Sequence, residues 1–179
     1  MYRSAPLIIL VLVFLFGMNI SSISYANDFE EGLKAYNNGD FKKAYVLFLK
    51  EAKRGDAIAQ NNIGAMYENG QGVLQDYKEA AKWFKLAAEQ GFAMAQNSIG
   101  AKYYKGQGVL QDYKEAVKWY RLAAEQGHDQ AQFNLGLMYE NGRGVLQNYK
   151  EAVKWYRLAA EQGFAMAQYN IGTMYLQGQ

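Results

Sequence analysis

Cysteine is absent from all 179 residues, which excludes disulfides, thiolate metal sites and a lipid-anchored lipoprotein and leaves packing as the only source of stability. Histidine is reduced to His128. A lone imidazole without cysteine offers no ligand spacing from which to build a metal site. At the repeat spacing described below, that position falls on Asp56, Phe92 and Phe164 in other copies, which reads as an ordinary loop residue despite histidine's suitability for acid–base work. No metal and no cofactor is expected. Excess charge of either sign is lacking too: 19 Lys+Arg against 17 Asp+Glu leave a formal charge of +2. A nucleic-acid binder needs a concentrated basic face to offset phosphate charge, so nucleic acid is not an expected partner.

Long apolar runs are missing except at the start. Arg3 precedes the apolar stretch Leu7 to Phe16, then come the polar residues Asn19 to Ser24 and the small-residue site Ser24-Tyr25-Ala26. This order reads as a secretory signal peptide cut after Ala26. Leu7 to Ile20 falls short of the roughly 20 apolar residues that span a bilayer. Residues 1–26 are therefore expected to be removed, leaving an exported chain, periplasmic or secreted, with no membrane contact after cleavage. Arg3 is the only charge lost, so the mature balance is 18 cations to 17 acids, or +1.

What the chain does contain is repetition. Trp83, Trp119 and Trp155 recur every 36 residues, and so do Gly64, Gly100, Gly136 and Gly172. A fixed period of this size signals a stacked array of helical units. Within each unit, Ala93 to Lys105 or Asp129 to Asn141 reads as a first helix, with Ala95, Ile99 and Tyr103 at four-residue spacing and a closing Gly106 suited to a left-handed terminus. A second helix starts after Asp112. Glu115, three residues on, completes a capping box in which the aspartate accepts a free backbone N–H and the glutamate reaches back to the cap. Asp76 with Glu79 and Asn148 with Glu151 repeat it, whereas Asp40 is followed by Lys43. The second helix is expected to bury Ala116, Trp119, Tyr120 and Ala123, to turn Lys114, Lys118 and Arg121 to water, and to stop at Gly127.

The loop between the helices is written Gly70-Gln71-Gly72-Val73-Leu74-Gln75 and recurs from Gly106 and Gly142. Its paired glycines match neither the P-loop pattern nor the dinucleotide fingerprint, no strand precedes them, and they end a helix instead of opening one. They read as a structural turn, with Val73 tucked into the apolar seam. Small residues such as Gly64, Ala80, Ala87 and Ala88 permit close helix contact, while Trp83 and Tyr67 fill the space between neighbouring pairs. Each unit then depends on the next.

The segments "GQGVLQDYKEAVKWYRLAAEQG" and "AQFNLGLMYENG" resemble the Sel-1-like repeat (SLR) family, relatives of the tetratricopeptide repeats with a longer glycine-containing loop. The resemblance covers residues 57–179. Residues 27–56 resemble a tetratricopeptide-type pair with the shorter loop Asn37 to Asp40, serving as first unit or N-terminal cap. The fold class so implied is all-α: a right-handed α-α superhelix, or α-solenoid, of antiparallel helix pairs whose concave surface is lined mainly by the first helices. The function implied is a non-enzymatic scaffold that binds a protein or peptide. Some cysteine-rich relatives are linked to β-lactam binding or hydrolysis. An envelope hydrolase of that kind is the alternative, but neither a cysteine nor a Ser-x-x-Lys nucleophile is present to carry it. A structural accessory subunit is a further alternative.

Aligning the first helices on their glycines separates faithful from variable positions. Ala59, Gln60 and Tyr67 repeat. Four columns at offsets of three and four change between copies and so form one stripe. The candidate partner-binding groove drawn from them comprises Ile58, Met94, Gln130 and Met166; Asn61, Asn97, Phe133 and Tyr169; Leu137 and Thr173; Tyr104 and Glu140. A variable, increasingly apolar stripe on a copied framework suits a peptide with hydrophobic anchors. No lysine or arginine lies on it, so recognition of a terminal carboxylate is not expected. After the last first helix no second helix follows Gly178-Gln179, so Ile171, Met174 and Tyr175 are expected to present apolar surface. Either the chain is a truncated product, or this end docks against a second copy, a self-association, or against another protein.

Overall fold

The computed structural model describes residues 28–176; the expected signal peptide lies outside the described residues. Helix starts follow local chemistry. Asp112 accepts the backbone N–H groups of Lys114 at 2.9 Å and Glu115 at 3.1 Å, Asp76 does the same for Lys78 and Glu79, and Asn148 accepts from Glu151. These bonds satisfy amides that an opening helical turn leaves without partners. The reciprocal half of the expected capping box is replaced. The N–H of Asp112 donates to the Tyr103 carbonyl at 3.0 Å, and Asp76 and Asn148 likewise donate to Tyr67 and Tyr139. The loop folds back onto the end of the preceding helix, whose carbonyl serves as the acceptor, so Glu79, Glu115 and Glu151 pair instead with Lys82, Lys118 and Lys154.

Nine helices result among the described residues: α1 (residues 28–37), α2 (Phe41–Lys53), α3 (Ala57–Asn69), α4 (Tyr77–Glu89), α5 (Ala93–Lys105), α6 (Tyr113–Glu125), α7 (Asp129–Asn141), α8 (Tyr149–Glu161) and α9 (Ala165–Leu176). No strand occurs among these residues. Each helix packs on its neighbours in the chain, most extensively α3 on α4, α5 on α6 and α7 on α8. The pairs stack into a right-handed α-solenoid. The first helix of a unit ends at a glycine in the left-handed region, Gly106 at φ +69°, whose N–H returns to the Lys102 carbonyl. Gln111 then donates to the Tyr104 carbonyl at 2.8 Å, with Gln75 and Gln147 in the same role, and so satisfies an acceptor at the helix end.

Two kinds of contact hold the stack. Within a unit, a Cβ added at Gly64, Gly100 or Gly136 would meet the ring of Phe84, Tyr120 or Tyr156 at 2.7, 2.8 or 2.6 Å, so the aromatic of the second helix lies directly on the backbone of the first. Between units, Trp119 of α6 joins Ala80, Phe84 and Ala87 of α4 and Ala95 and Ile99 of α5 in one buried cluster. Trp155 repeats this one unit later. The faithful glutamine adds a polar clamp. Gln96 donates to the Ala88 carbonyl behind it at 3.2 Å and accepts from Gln126 ahead of it at 2.7 Å. Gln60 and Gln132 do the same. A buried amide so partnered on both sides avoids the cost of an unmade hydrogen bond. Arg121 departs from expectation: its guanidinium lies over the Tyr139 ring, 5.7 Å from the centroid, and donates to that hydroxyl at 2.6 Å.

Burial of tyrosines gives the fold an alkaline limit. The Tyr45 hydroxyl is pushed up to about 12, first by burial and then by its hydrogen bond with Tyr67. Tyr120 is raised by burial and then by Tyr104, and Tyr156 by burial and then by its bond to Glu140. In the unfolded chain these phenols ionise near the ordinary value of about 10. Their contribution to stability is thus complete below about pH 10 and is lost as pH rises towards the folded values. Melting temperature followed by circular dichroism should hold from pH 7 to 9 and fall above about pH 10. Tyr120→Phe, which copies Phe84 of the preceding unit, should make the fall shallower; a flat profile to pH 12 would contradict this account.

Candidate functional site

Successive first helices do not meet flush, and the space between α5 and α7 opens into a cleft of about 390 Å³. Of the expected groove residues, Asn97, Tyr104, Gln130 and Leu137 line it. Asn134 donates its amide N–H to the Asn97 side-chain oxygen at 3.0 Å. That bond orients both amides and itself makes no use of the Asn97 NH₂ or the Asn134 side-chain oxygen, a donor group and an acceptor. Lys105 and Arg143 complete the rim. Arg143 sits over the Tyr104 and Tyr113 rings at 5.6 and 5.8 Å and donates to the Tyr104 hydroxyl, so its guanidinium is held in place with other donors to spare.

The other expected groove residues divide among different roles. Ile58, Met94, Met166 and Tyr169 are exposed. Phe133 is only 4% exposed and packs with Ala152, Tyr156, Ala159, Ala167 and Met174, with ring centroids 5.0 Å from Phe164 and 5.6 Å from Tyr156. It is a core residue. Asn61 is 5% exposed and donates to the Met94 sulfur at 3.6 Å. Both corrections have one cause. Each first helix is enclosed by second helices before and after it, so only part of the variable stripe reaches water and the rest is buried between helices. Glu140 accepts from the Tyr156 hydroxyl at 2.5 Å, and Thr173 bonds the Asn170 carbonyl of its own helix.

Lys105, Asn134, Asn141 and Arg143 escaped the sequence reading although they line the cleft. The sequence carries a signal for Arg143, since the loop position that holds it is Gln71 and Gln107 in earlier copies, outside the helical stripe. His128 has a structural post. Its Nδ1 accepts the Ala131 N–H at 3.3 Å and caps α7, as Asp56 caps α3. Among the described residues no group of three His, Cys, Asp or Glu stands where a metal ion could be held, and no helix is long and apolar enough to cross a membrane.

Lys102 shows how neighbouring columns adapt to one another. It occupies the core position that is Met66, Met138 and Met174 in the other units and is 2% exposed. Its ammonium pairs with Glu68 of the preceding unit, bonds Gln107 at 3.3 Å and lies 5.2 Å from the Tyr77 ring centroid. Apolar residues of similar volume often match or exceed a buried ion pair in stability, whereas removing one partner strands a charge. Lys102→Met should be neutral or stabilising by up to about 2 kcal/mol, and Glu68→Gln should cost about 1 to 3 kcal/mol. Urea midpoints compare the two; the reverse order would refute it.

The family model described as Sel1 repeat matches residues 57–92, 93–128, 129–164 and 165–179. A Sel1 repeat protein from Oxalobacter formigenes is 41% identical over 84% of this chain and 62% of its own, with a TM-score of 0.79. The protective antigen c5321 of uropathogenic Escherichia coli strains, which displays an SLR fold, is 38% identical over 93% of this chain and 36% of its own, with a TM-score of 0.84. The chain thus spans under two thirds of the length of both. Helicobacter pylori cysteine rich protein B shares the fold at 22% identity, covering 72% of this chain and 92% of its own, with a TM-score of 0.57. No curated protein matches.

Proposed function

Because this chain belongs to the Sel1 repeat family, whose SLR fold generally serves as a non-enzymatic protein-interaction scaffold, we propose that it is an exported scaffold binding a protein or peptide along the face formed by α3, α5, α7 and α9. The cleft between α5 and α7 carries this reading. It joins the Asn97–Asn134 amide pair to the apolar residues Ala101, Leu137 and Met138, which suits an extended backbone with side-chain anchors. Exposed Ile58 and Met94 extend the apolar surface towards the N-terminal units. Export to the periplasm or beyond rests on Arg3, the apolar run from Leu7 and the Ser24-Tyr25-Ala26 site; intact-mass measurement of the exported protein should show loss of residues 1–26.

A photo-crosslinking amino acid tests the binding face. Placed at Gln130 or Leu137, it should trap a discrete partner in envelope or culture extracts, and placed at the exposed Lys118 it should not. Equal trapping at all three positions, or none at any, would remove the proposal. A polar replacement at Phe133 is unsuitable as a probe, because it would disrupt the core.

The face of α9 favours a second contact, with another copy of this chain. Tyr169 is 73% exposed and Met166 and Leu176 are exposed beside it, whereas Met174, expected at this surface, is buried against Phe133. Mass by light scattering should rise with concentration; a monomer throughout rejects self-association.

A further inference from the structure

The residues on the rim of the α5–α7 cleft can be compared with those at the same places in the other units. In the cleft they are Tyr104 and Lys105 at the end of α5 and Arg143 in the loop after α7, giving +2; between α3 and α5 they are Glu68, Asn69 and Gln107, giving −1; between α1 and α3 they are Tyr36, Asn37 and Gln71, which are neutral. The equivalence is structural, since Tyr36 donates to Gln71 at 2.9 Å where Tyr104 meets Arg143. Three differences at one place therefore act in one direction: a carboxylate is replaced by a phenol, an amide by an ammonium and an amide by a guanidinium. No carboxylate lines the cleft. The nearest first-helix acid, Glu140, is engaged by the Tyr156 hydroxyl, and Glu68 is engaged by Lys102.

Resting on the peptide-binding reading above, we propose that this cleft is the anchoring subsite of the binding face and takes a carboxylate of an extended peptide. Arg143 presents donors in a fixed planar fork because two rings and a hydroxyl hold it, and a guanidinium so placed matches a carboxylate better than a mobile ammonium does. Lys105 adds a second cation at the same rim. The Asn97 NH₂ and the Asn134 oxygen, both on cleft-lining residues and not used in the bond between them, match the one acceptor and one donor of the adjoining peptide unit. The four variable columns give no sign of a carboxylate site, since Lys105 stands one place beyond the Tyr104 column and Arg143 lies in a loop. It is assembled only when the loop after α7 folds back over α5.

The test uses the mature chain and an array of nonapeptides with a central Asp, Asn or Lys flanked by randomised Ala, Leu, Tyr and Ser, each made with free and amidated C-termini. Peptides bearing a carboxylate should bind about tenfold tighter than their neutral counterparts, an effect expected of one charge-assisted contact. A preference for central Asp identifies a side chain as the source, and a preference for the free over the amidated end identifies the terminus. The double variant Arg143→Gln, Lys105→Asn should retain binding but lose the preference. Its helical circular dichroism should equal the parent's, because sister units carry Gln71, Gln107, Asn69 and Asn141 at those places. Binding without carboxylate preference, or a preference that survives the double variant, overturns this inference and leaves peptide binding standing. No binding of any peptide by either form overturns both.

Discussion

Gly108→Ala is expected to destabilise the protein by about 2 to 5 kcal/mol, far more than the same change at Gly91. Both glycines have positive φ, +77° and +88°, and forcing alanine into that region costs about 1 to 2 kcal/mol. The surroundings differ. A Cβ at Gly91 meets nothing within 4 Å, whereas at Gly108 it would overlap the carbonyl group of Tyr77 and approach the Lys78 nitrogen at 2.8 Å. Those atoms belong to the first turn of α4, one unit back, and helix backbone yields less readily than a side chain, so overpacking adds about 1 to 3 kcal/mol. Gly72 against Phe41 and Gly144 against Tyr113 repeat the contact. The second glycine of each loop is thus an inter-unit joint. Chemical denaturation of the two variants side by side provides the check; equal losses would mean that φ alone matters at Gly108.

Trp119→Ala should cost about 3 to 5 kcal/mol, the usual range for truncating a buried large aromatic. The indole is 7% exposed and its Nε1 has no hydrogen-bond partner, so its contribution is apolar packing. Because it contacts α4 and α5 as well as residing on α6, the loss should spread backward through the stack, as nearest-neighbour coupling in repeat proteins requires. Hydrogen exchange read by mass spectrometry should report lost protection in α4, α5 and α6 together. Loss confined to α6 would show that Trp119 serves its own unit alone. Trp83→Ala should cost less, since that ring is only partly buried.

Much of this architecture is legible in the chain because its causes are local. Asp112 accepts amides two and three residues ahead, and Gly106 closes α5 through an N–H that returns four residues. Such bonds depend on neighbours in sequence and repeat wherever the residues repeat, so the bounds of α5, α6 and α7 follow directly. Even here tertiary context intervened. The α5 carbonyl of Tyr103, reached as the loop folds back, took the Asp112 N–H that the capping box assigns to Glu115.

The candidate site was legible only in part. Variation between copies found Asn97, Tyr104, Gln130 and Leu137, but it found Phe133 and Asn61 by the same rule, and both are buried. A core position can differ between units because of how it packs, as at Phe133, whose ring centroid lies 5.0 Å from that of Phe164. A column of residues cannot separate that cause from recognition. The amino-acid sequence by itself determined the period, the helices and their ends, because these arise from bonds within a few residues. Only the tertiary structure decided which variable positions meet solvent, that Lys102 lies in the core, and that Arg143 joins Asn97 and Asn134 in one cleft. Those outcomes depend on how one unit sits on the next, which is set by contacts distant in the chain, such as Gly108 on Tyr77 (108−77 = 31 residues) and Trp119 on Phe84 (119−84 = 35 residues).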